Sequence, residues 1–242
     1  MEIQQFTEQL TEGPASLKVI NEIGSIVVVP GNDGHRAVHI DAESRGMVVT
    51  VSNIDNHVTV RAEREEAWRN PIESIKALFA QEHPEARLTI RVPADCVVDA
   101  KTVTGSLSVS GIEGTVNGRV VTGSAKFANL GGPVFAKTVT GKLSYEGHLS
   151  DATHHFKTVT GAVQLNLTEM PNARLDARTD VGGIHCDFVK GTAVQSQNMV
   201  GSRLQDVLGS GEGHIKIRVA TGGIHLNHIV ERVKEKEGEL IS

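Results

Sequence analysis

The chain has few aromatic residues, few cysteines and no long apolar run. Aromatic residues make up 3% of its 242 residues, so the stacking platforms that hold single-stranded bases or sugar rings are not expected. Two cysteines, Cys96 and Cys186, are too few for a disulfide framework and lie in strand-like stretches, which predicts core thiols. No apolar run approaches the roughly 18 residues of a membrane-spanning helix, and the first residues lack the pattern of a secretory signal. We therefore expect a cytoplasmic protein.

The balance of charged residues argues against a protein that coats nucleic acid. Lys and Arg number 24 against 29 Asp and Glu, a net charge of -5, which does not suit a protein that coats nucleic acid through its overall charge. No specific nucleic acid partner is expected. A hydrophobic fraction of 39% and a charged fraction of 22% are typical of a folded globular chain.

A repeated pentapeptide is the main feature that the sequence does contain. KTVTG occurs three times, at 101–105, 137–141 and 157–161, and degraded copies end at four further glycines. Successive repeat glycines lie 18 to 21 residues apart, a period typical of repeat proteins. The segment EIGSIVVV at 22–29 is an earlier echo. The repeat glycines are Gly105, Gly123, Gly141, Gly161, Gly182, Gly201 and Gly222.

The residues around each glycine predict a coil of parallel strands. Apolar residues alternate within a copy, as in Val103, Leu107 and Val109, which is the pattern of a strand with one buried face. Each copy would form one turn of an all-β parallel solenoid, with successive copies stacked roughly 4.8 Å apart. The repeat glycines would lie at its corners, and the threonine before several of them would form a hydroxyl ladder. A β-sandwich is the alternative fold.

A single domain over residues 1–242 is expected, although its parts differ in regularity. Residues 1–62 are predicted to form looser strands, 87–228 the regular turns and 229–242 a polar tail. Residues 63–86 interrupt the strand pattern and are predicted to be a helical insertion.

The insertion contains the signals of one short helix near 70–83. Asn70 is suited to the N-cap and Pro71 to the first helical position. The helix would cover an exposed edge of the solenoid or dock a partner through its apolar face. That face consists of Ile72, Ile75, Leu78 and Phe79.

The repeats and their lead-in resemble those of a known family. Copies of KTVTG followed by alternating apolar residues, preceded by RLTIRVPADCVVDAKTVTG at 87–105, resemble the bacterial putative-adhesin family of domains of unknown function. The resemblance is strongest over 88–226. It implies a right-handed, single-stranded β-helix, often attached to membrane or envelope-stress systems, and it brings no established catalytic residues.

The position four residues before the repeat glycine is basic in six of the seven copies. If the turns stack in register, these side chains form a stripe with one cation per turn. The stripe could hold a polyanion such as an anionic membrane surface, a phosphate-bearing polymer or an acidic partner. Alternatively, the side chains spread into water and discourage aggregation. The stripe consists of Lys101, Arg119, Lys137, Lys157, Arg178 and Arg218, with Gln197 in the remaining copy.

No metal, cofactor or catalytic residue is predicted. His185 and His225 occupy the same place in two GGIH copies, but sequential stacking would leave one turn between them, and zinc cannot bridge the resulting separation of roughly 9.6 Å. Asp176 and Asp180 are the nearest approach to the paired carboxylates of a polysaccharide-cleaving enzyme. Backbone capping at a corner explains them more simply.

The sequence therefore predicts a non-enzymatic structural or interaction protein that presents a rigid surface to a protein partner or to a second copy of itself. Binding of an anionic polymer or membrane surface through the stripe is the alternative function. A carbohydrate-active β-helix enzyme is a second alternative. If the protein associates with the cell envelope, we expect it to do so through a partner.

Overall fold

The computed structural model describes residues 1–31, 36–65, 83–188 and 201–229, together with the backbone of 194–195. Every regular element in these ranges is a β-strand, which confirms the all-β fold class. None of this described part is a helix long and apolar enough to cross a membrane. Several predictions fall outside the described residues: the helix face Ile72, Ile75, Leu78 and Phe79, the tail from 230 onward, and Gln197.

The described strands form one mixed sheet. They are β1 (Glu2–Gln9), β2 (Ser16–Pro30), β3 (Ala37–Arg45), β4 (Met47–Ile54), β5 (His57–Arg64), β6 (Glu85–Val92), β7 (Val97–Ser110), β8 (Val116–Ala128), β9 (Val134–Gly147), β10 (Thr153–Thr160), β11 (Val163–Leu167), β12 (Ala173–Val181), β13 (Ile184–Cys186), β14 (Val194–Gln195), β15 (Ser202–Leu208), β16 (Gly213–Thr221) and β17 (Ile224–His228).

The centre of the sheet is a parallel, in-register stack of repeat copies. β2 pairs with β7, β7 with β8 and β8 with β9, all in parallel. The register aligns equivalent residues, so that Gly24, Gly105, Gly123 and Gly141 follow one another in a single row. The echo at 22–29 is therefore part of the same stack, although a long segment separates it in sequence from the next copy.

Beyond Gly161 the stack departs from the order of the sequence. β16 and β17 pair on one side with β10 and β11 and on the other with β12 and β13. A Cβ on Gly222 would meet Gly161, and one on Gly182 would meet Gly222, so the predicted sequential order is wrong here. The chain adds β15 antiparallel to the outer side of β12, and β16 then occupies the place beside β10. Because all copies have the same alternation of inward-facing and outward-facing residues, the repeat period alone cannot specify the order in which the copies stack.

The strands before the regular repeats combine parallel and antiparallel pairing. β5 pairs in parallel with the first half of β2, and β6 with its second half. β3 is antiparallel to both β1 and β6, and β4 is antiparallel to β5. Antiparallel neighbours can be joined by short turns and need no repeated corner. This suits β3 and β4, whose described pairings are antiparallel and whose sequences carry no copy of the pentapeptide.

The buried core is built from inward-facing residues on both sides of each repeat glycine. Leu107, Leu143 and Val163 are fully or almost fully buried and belong to one inward row, with Ala125 between the first two. Burying a side chain of this size contributes about 1.5–3 kcal/mol. Small residues accommodate larger ones, since a Cβ on Gly118 would lie 2.4 Å from the ring of Phe127.

Within the pentapeptide, burial differs from the predicted alternation. Thr102, Thr138 and Thr158 are buried, whereas the neighbouring valines Val103, Val139 and Val159 are exposed. The ladder between β7 and β8 pairs Thr102 with Val120 and Thr104 with Thr122 but skips Val103 and Val121, so both strands bend at the same position without a change of register. At this bend two consecutive residues, Val103 and Thr104, are exposed. The alternation of buried and exposed residues that follows the glycine therefore does not continue into the pentapeptide.

Glycine is required in the stacked row by both conformation and close packing. Gly141 has a φ of 139°, in the left-handed region that disfavours other residues. A Cβ on Gly141 would lie 1.7 Å from the carbonyl oxygen of Gly123. Gly201 differs from the other predicted corner glycines because its φ lies outside this region.

Candidate binding surface

The basic residues of successive copies lie in one outward row. The parallel register pairs Lys101 with Arg119, Arg119 with Lys137, and Lys137 with Lys157. The row continues through Arg218 to Arg178, because β16 lies between β10 and β12. We call Lys101, Arg119, Lys137, Lys157, Arg218 and Arg178, in this spatial order, the cation row.

A further cation extends the row at its C-terminal end. Arg203 on β15 is the antiparallel neighbour of Arg178 and is exposed. It precedes no repeat glycine, so the repeat spacing contains no signal for it. The predicted stripe residue Gln197 lies outside the described residues, and Arg203 is the neighbour that the structure gives to Arg178 instead.

The cations at the C-terminal end of the row are paired with acidic side chains. Arg218 donates to the carboxylate of Asp176 and, from Nη1, to its backbone oxygen at 2.9 Å. Arg178 donates to Asp180 at 3.0 Å. Arg203 Nε lies 3.9 Å from Asp176 Oδ1. Charge in this part of the row is therefore largely compensated.

The other four cations have no such partner among the described residues. Lys101, Arg119, Lys137 and Lys157 are all exposed and take part in none of the ion pairs found there. The outward position two residues earlier holds Asn117 before Arg119, Phe135 before Lys137 and His155 before Lys157. Asp99 precedes Lys101 without pairing to it. We call these four residues the uncompensated segment.

Two further exposed rows lie on one side of the uncompensated segment. Val103, Val139 and Val159 have exposed fractions of 38%, 46% and 43%, which is high for an apolar side chain. Beside them an in-register row of exposed threonines runs through four copies. Its members are Thr104, Thr122, Thr140 and Thr160. The surface therefore carries cationic, aliphatic and hydroxyl rows side by side.

A shallow depression lies where the uncompensated segment meets the paired cations. Its volume is about 360 Å³, and it is lined by Lys157, Arg218, Arg178, Asp180 and Val159, among others. Two of its three cations are held by carboxylates, Arg218 by Asp176 and Arg178 by Asp180. The depression thus offers less positive charge than its basic residues suggest.

His185 and His225 are direct neighbours, which corrects the predicted separation of one full turn. β13 pairs with β17 in register, and the two ring centroids are 6.4 Å apart. The prediction failed because it assumed the sequential order of copies. His185 Nε2 lies 2.9 Å from Asp187 Oδ1. Even so, no group of three or more metal-ligating side chains is found within the described ranges.

The carboxylates considered for catalysis are both held by arginines. The hydrogen bond from Arg218 lowers the pKa of Asp176 below its ordinary value, with smaller contributions from Arg203 and Lys216. A carboxyl group that acts as a general acid needs the opposite shift. Asp180 is exposed and accepts from Arg178.

Two buried groups have no counterpart among the predicted site residues. His154 is fully buried; its Nε2 lies 2.9 Å from the carbonyl oxygen of Ser150, and Nδ1 has no partner. Burial lowers the pKa of His154. Cys96 is a buried thiol, as predicted, and burial raises its pKa to about 12, whereas Cys186 is only half-buried.

Comparison with known proteins leaves the family open. No protein-family model matches the chain, and no curated protein matches it. Among solved structures, the chain is similar to one described as a "putative cell adhesion protein" from Clostridium sporogenes. The identity is 10%, the match covers 94% of this chain and 100% of that chain, and the TM-score is 0.49. A likeness at this level carries no argument about function, so the resemblance to the adhesin family stays a prediction.

Proposed function

We propose that the protein is a non-enzymatic binding protein, built as a right-handed parallel β-helix, that presents a rigid adhesin-like surface to a macromolecule of the cell envelope. The observation that supports it most directly is the uncompensated segment. Four exposed cations hold fixed positions on successive strands without an acidic partner among the described residues. Structural ion pairs do not account for them.

The backbone beneath this surface favours binding over catalysis. Each central strand is paired along its length with a strand on either side, so the side chains of one row keep a spacing of about 4.8 Å. A surface that is already ordered loses little conformational entropy on binding. The carboxylates Asp176 and Asp180 are both engaged by arginines, which suits a structural role for them.

The proposal is tested by retention of cell fractions on the immobilised full-length chain. Envelope and soluble fractions of the source cells are passed over the wild type, a Lys137→Glu/Lys157→Glu variant and a control, Lys126→Glu/Lys142→Glu. The control changes net charge equally and alters two exposed lysines on neighbouring strands beyond the repeat glycines. We expect envelope material to be retained by the wild type and the control but not by the first variant.

Equal retention by all three proteins, or retention by none, would contradict the proposed function. Thermal unfolding of each variant is measured alongside, because the comparison requires that both double variants fold. All four lysines are exposed, and the ion pair that Lys126 of the control forms with Glu146, at 3.6 Å, is more than half exposed on both sides, so the substitutions should change stability only slightly.

A further inference from the structure

We propose that the uncompensated segment binds a linear polyol phosphate, a chain in which phosphodiester groups alternate with short aliphatic polyol units. This inference rests on the proposed function and specifies the chemistry of its ligand. The observations that carry it are the single-file arrangement of the four cations and the nature of the two rows beside them.

The arrangement of the cations favours a linear ligand over a flat one. Lys101, Arg119, Lys137 and Lys157 form one file along the stacking direction. Neighbouring rows add no parallel file of positive charge along the segment, since one side carries Asp99, Asn117, Phe135 and His155 and the other carries valines. A membrane surface would engage a patch that is several cations wide. A chain laid along the file engages all four.

The length of the segment allows several contacts with one chain. Four cations at the strand spacing cover about 14 Å, so one flexible polyanion can contact several cations of the same protein molecule at once. Each contact after the first is then intramolecular, which strengthens binding well beyond that of a single phosphate. Mutual repulsion of the stacked cations in the unbound protein is relieved at the same time.

The rows beside the cations indicate what lies between the anions of the ligand. Exposed Val139 and Val159 offer an aliphatic strip, which suits carbon-bound hydrogens in the repeat and not a chain made only of phosphates. The adjacent threonine hydroxyls can donate to phosphate or polyol oxygens. Lysine binds phosphate as a point charge and needs no planar, bidentate partner.

Ring-containing polymers fit this surface less well. Bases and sugar rings bind through aromatic side chains that stack on them. The aromatic residue beside the uncompensated segment is Phe135, and its ring already packs edge-on against His155, with centroids 5.4 Å apart and an interplanar angle of 76°. The surface offers charge, aliphatic contact and hydroxyl groups instead.

The test uses a defined probe, end-labelled poly(glycerol phosphate) of about ten repeats, which is long enough to span the segment. Fluorescence anisotropy with the purified full-length protein gives the Kd at low and at moderate salt. We expect binding that weakens with salt and that is weakened about tenfold or more in Lys137→Glu/Lys157→Glu. The control Lys126→Glu/Lys142→Glu should change the Kd by no more than about threefold, since its lysines lie off the file.

Competing ligands decide between polymer classes. Inorganic polyphosphate, polygalacturonate, oligo(dT) and phosphatidylglycerol vesicles are titrated under the same conditions. Tighter binding of poly(glycerol phosphate) than of each of these supports the proposal. Equal binding of all polyanions, stronger binding to the vesicles, or no effect of the Lys137 and Lys157 substitutions overturns it. If the polymer does not bind although envelope retention still depends on these lysines, the ligand assignment fails and the proposed function stands.

Discussion

The first and last parts of the stack use the same repeat but arrive at different surfaces. From β7 to β10 the copies follow one another in sequence order, and their cations have no acidic partner among the described residues. From β16 to β12 and β15 the order is rearranged, and Arg218, Arg178 and Arg203 face Asp176 and Asp180. The repeat thus determines where a cation points, while the neighbouring strand determines whether its charge is available.

Strand order is the point on which the two parts differ most, and engineered disulfides should report it as an all-or-none result. Thr160 is the direct neighbour of Thr221, and Thr221 of Val181. In a Cys186→Ser background, Thr160→Cys/Thr221→Cys should oxidise readily, because adjacent strands bring the Cα atoms within the roughly 4.4–6.8 Å range of a disulfide. Thr160→Cys/Val181→Cys should not, since one strand intervenes. Mass spectrometry after mild oxidation checks both, and the reverse result would restore the sequential order.

Glycine substitution should be equally severe in both parts. Gly141 and Gly222 both have a φ of 139°, and alanine at either position would place a Cβ 1.7 Å from the backbone oxygen of the stacked glycine on the neighbouring strand. We expect each variant to lose about 3 kcal/mol or more of unfolding free energy, measured by urea denaturation. Gly183→Ala is the matched control, because its Cβ would meet nothing within 4 Å. It should change stability by less than about 0.5 kcal/mol.

The junction between the two parts should be sensitive to acid. His154 lies on β10, between β9 and β16, beside His148 and His155. Its pKa is lowered by burial, so the folded state keeps it neutral while the unfolded chain takes up a proton near pH 6.5. Stability should therefore fall as the pH drops below about 6.5, by about 1 kcal/mol at pH 5.5 relative to pH 7.5.

The variant His154→Leu should lose most of this pH dependence, whereas the exposed His225→Gln should retain it. His155 also has a lowered pKa, mainly through partial burial, and contributes in the same direction. Urea midpoints at pH 5.5, 6.5 and 7.5 measure the effect. An unchanged slope in His154→Leu would show that this imidazole is not the group responsible.

The sequence predicts the local geometry of both parts better than their arrangement. Identical pentapeptides at a regular period must align when strands stack, and the cation row follows from that alone. The order in which the copies stack depends on the path of the chain after β13. Because the copies share one residue pattern, the sequence does not indicate this order. The contact of Arg218 with Asp176, 42 residues away, and the approach of His185 to His225 both follow from this order. The burial of Thr138 beside exposed Val139 could not be predicted either, because it depends on the bend that neighbouring strands share at this position.

The buried threonines of the two parts should respond oppositely to the same substitution. Thr138 Oγ1 is buried without a hydrogen-bond partner, whereas Thr179 Oγ1 donates to the carbonyl oxygen of Gly222 at 2.9 Å. Val120 occupies the same row as Thr138, so valine fits there. Thr138→Val should raise the unfolding free energy by about 0.5–1 kcal/mol, and Thr179→Val should lower it by about 1 kcal/mol. A shift of the same sign in both would show that the hydroxyl's partner does not decide the outcome.

The smallest expected effect addresses charge compensation itself. Asp176→Asn removes the negative charge that Arg218 and Arg203 share, while Arg218 keeps its hydrogen bond to the backbone oxygen of residue 176. Because these groups are partly exposed, stability should change by no more than about 1 kcal/mol. If compensation is what separates the two parts, the uncompensated segment should lengthen, and poly(glycerol phosphate) should bind about two- to threefold more tightly at low salt. Asp206→Asn removes one negative charge from an exposed position that has no ion pair with the row, and it should leave the Kd nearly unchanged. Equal gains from both variants would mean that net charge, and not the pairing of particular cations, controls binding.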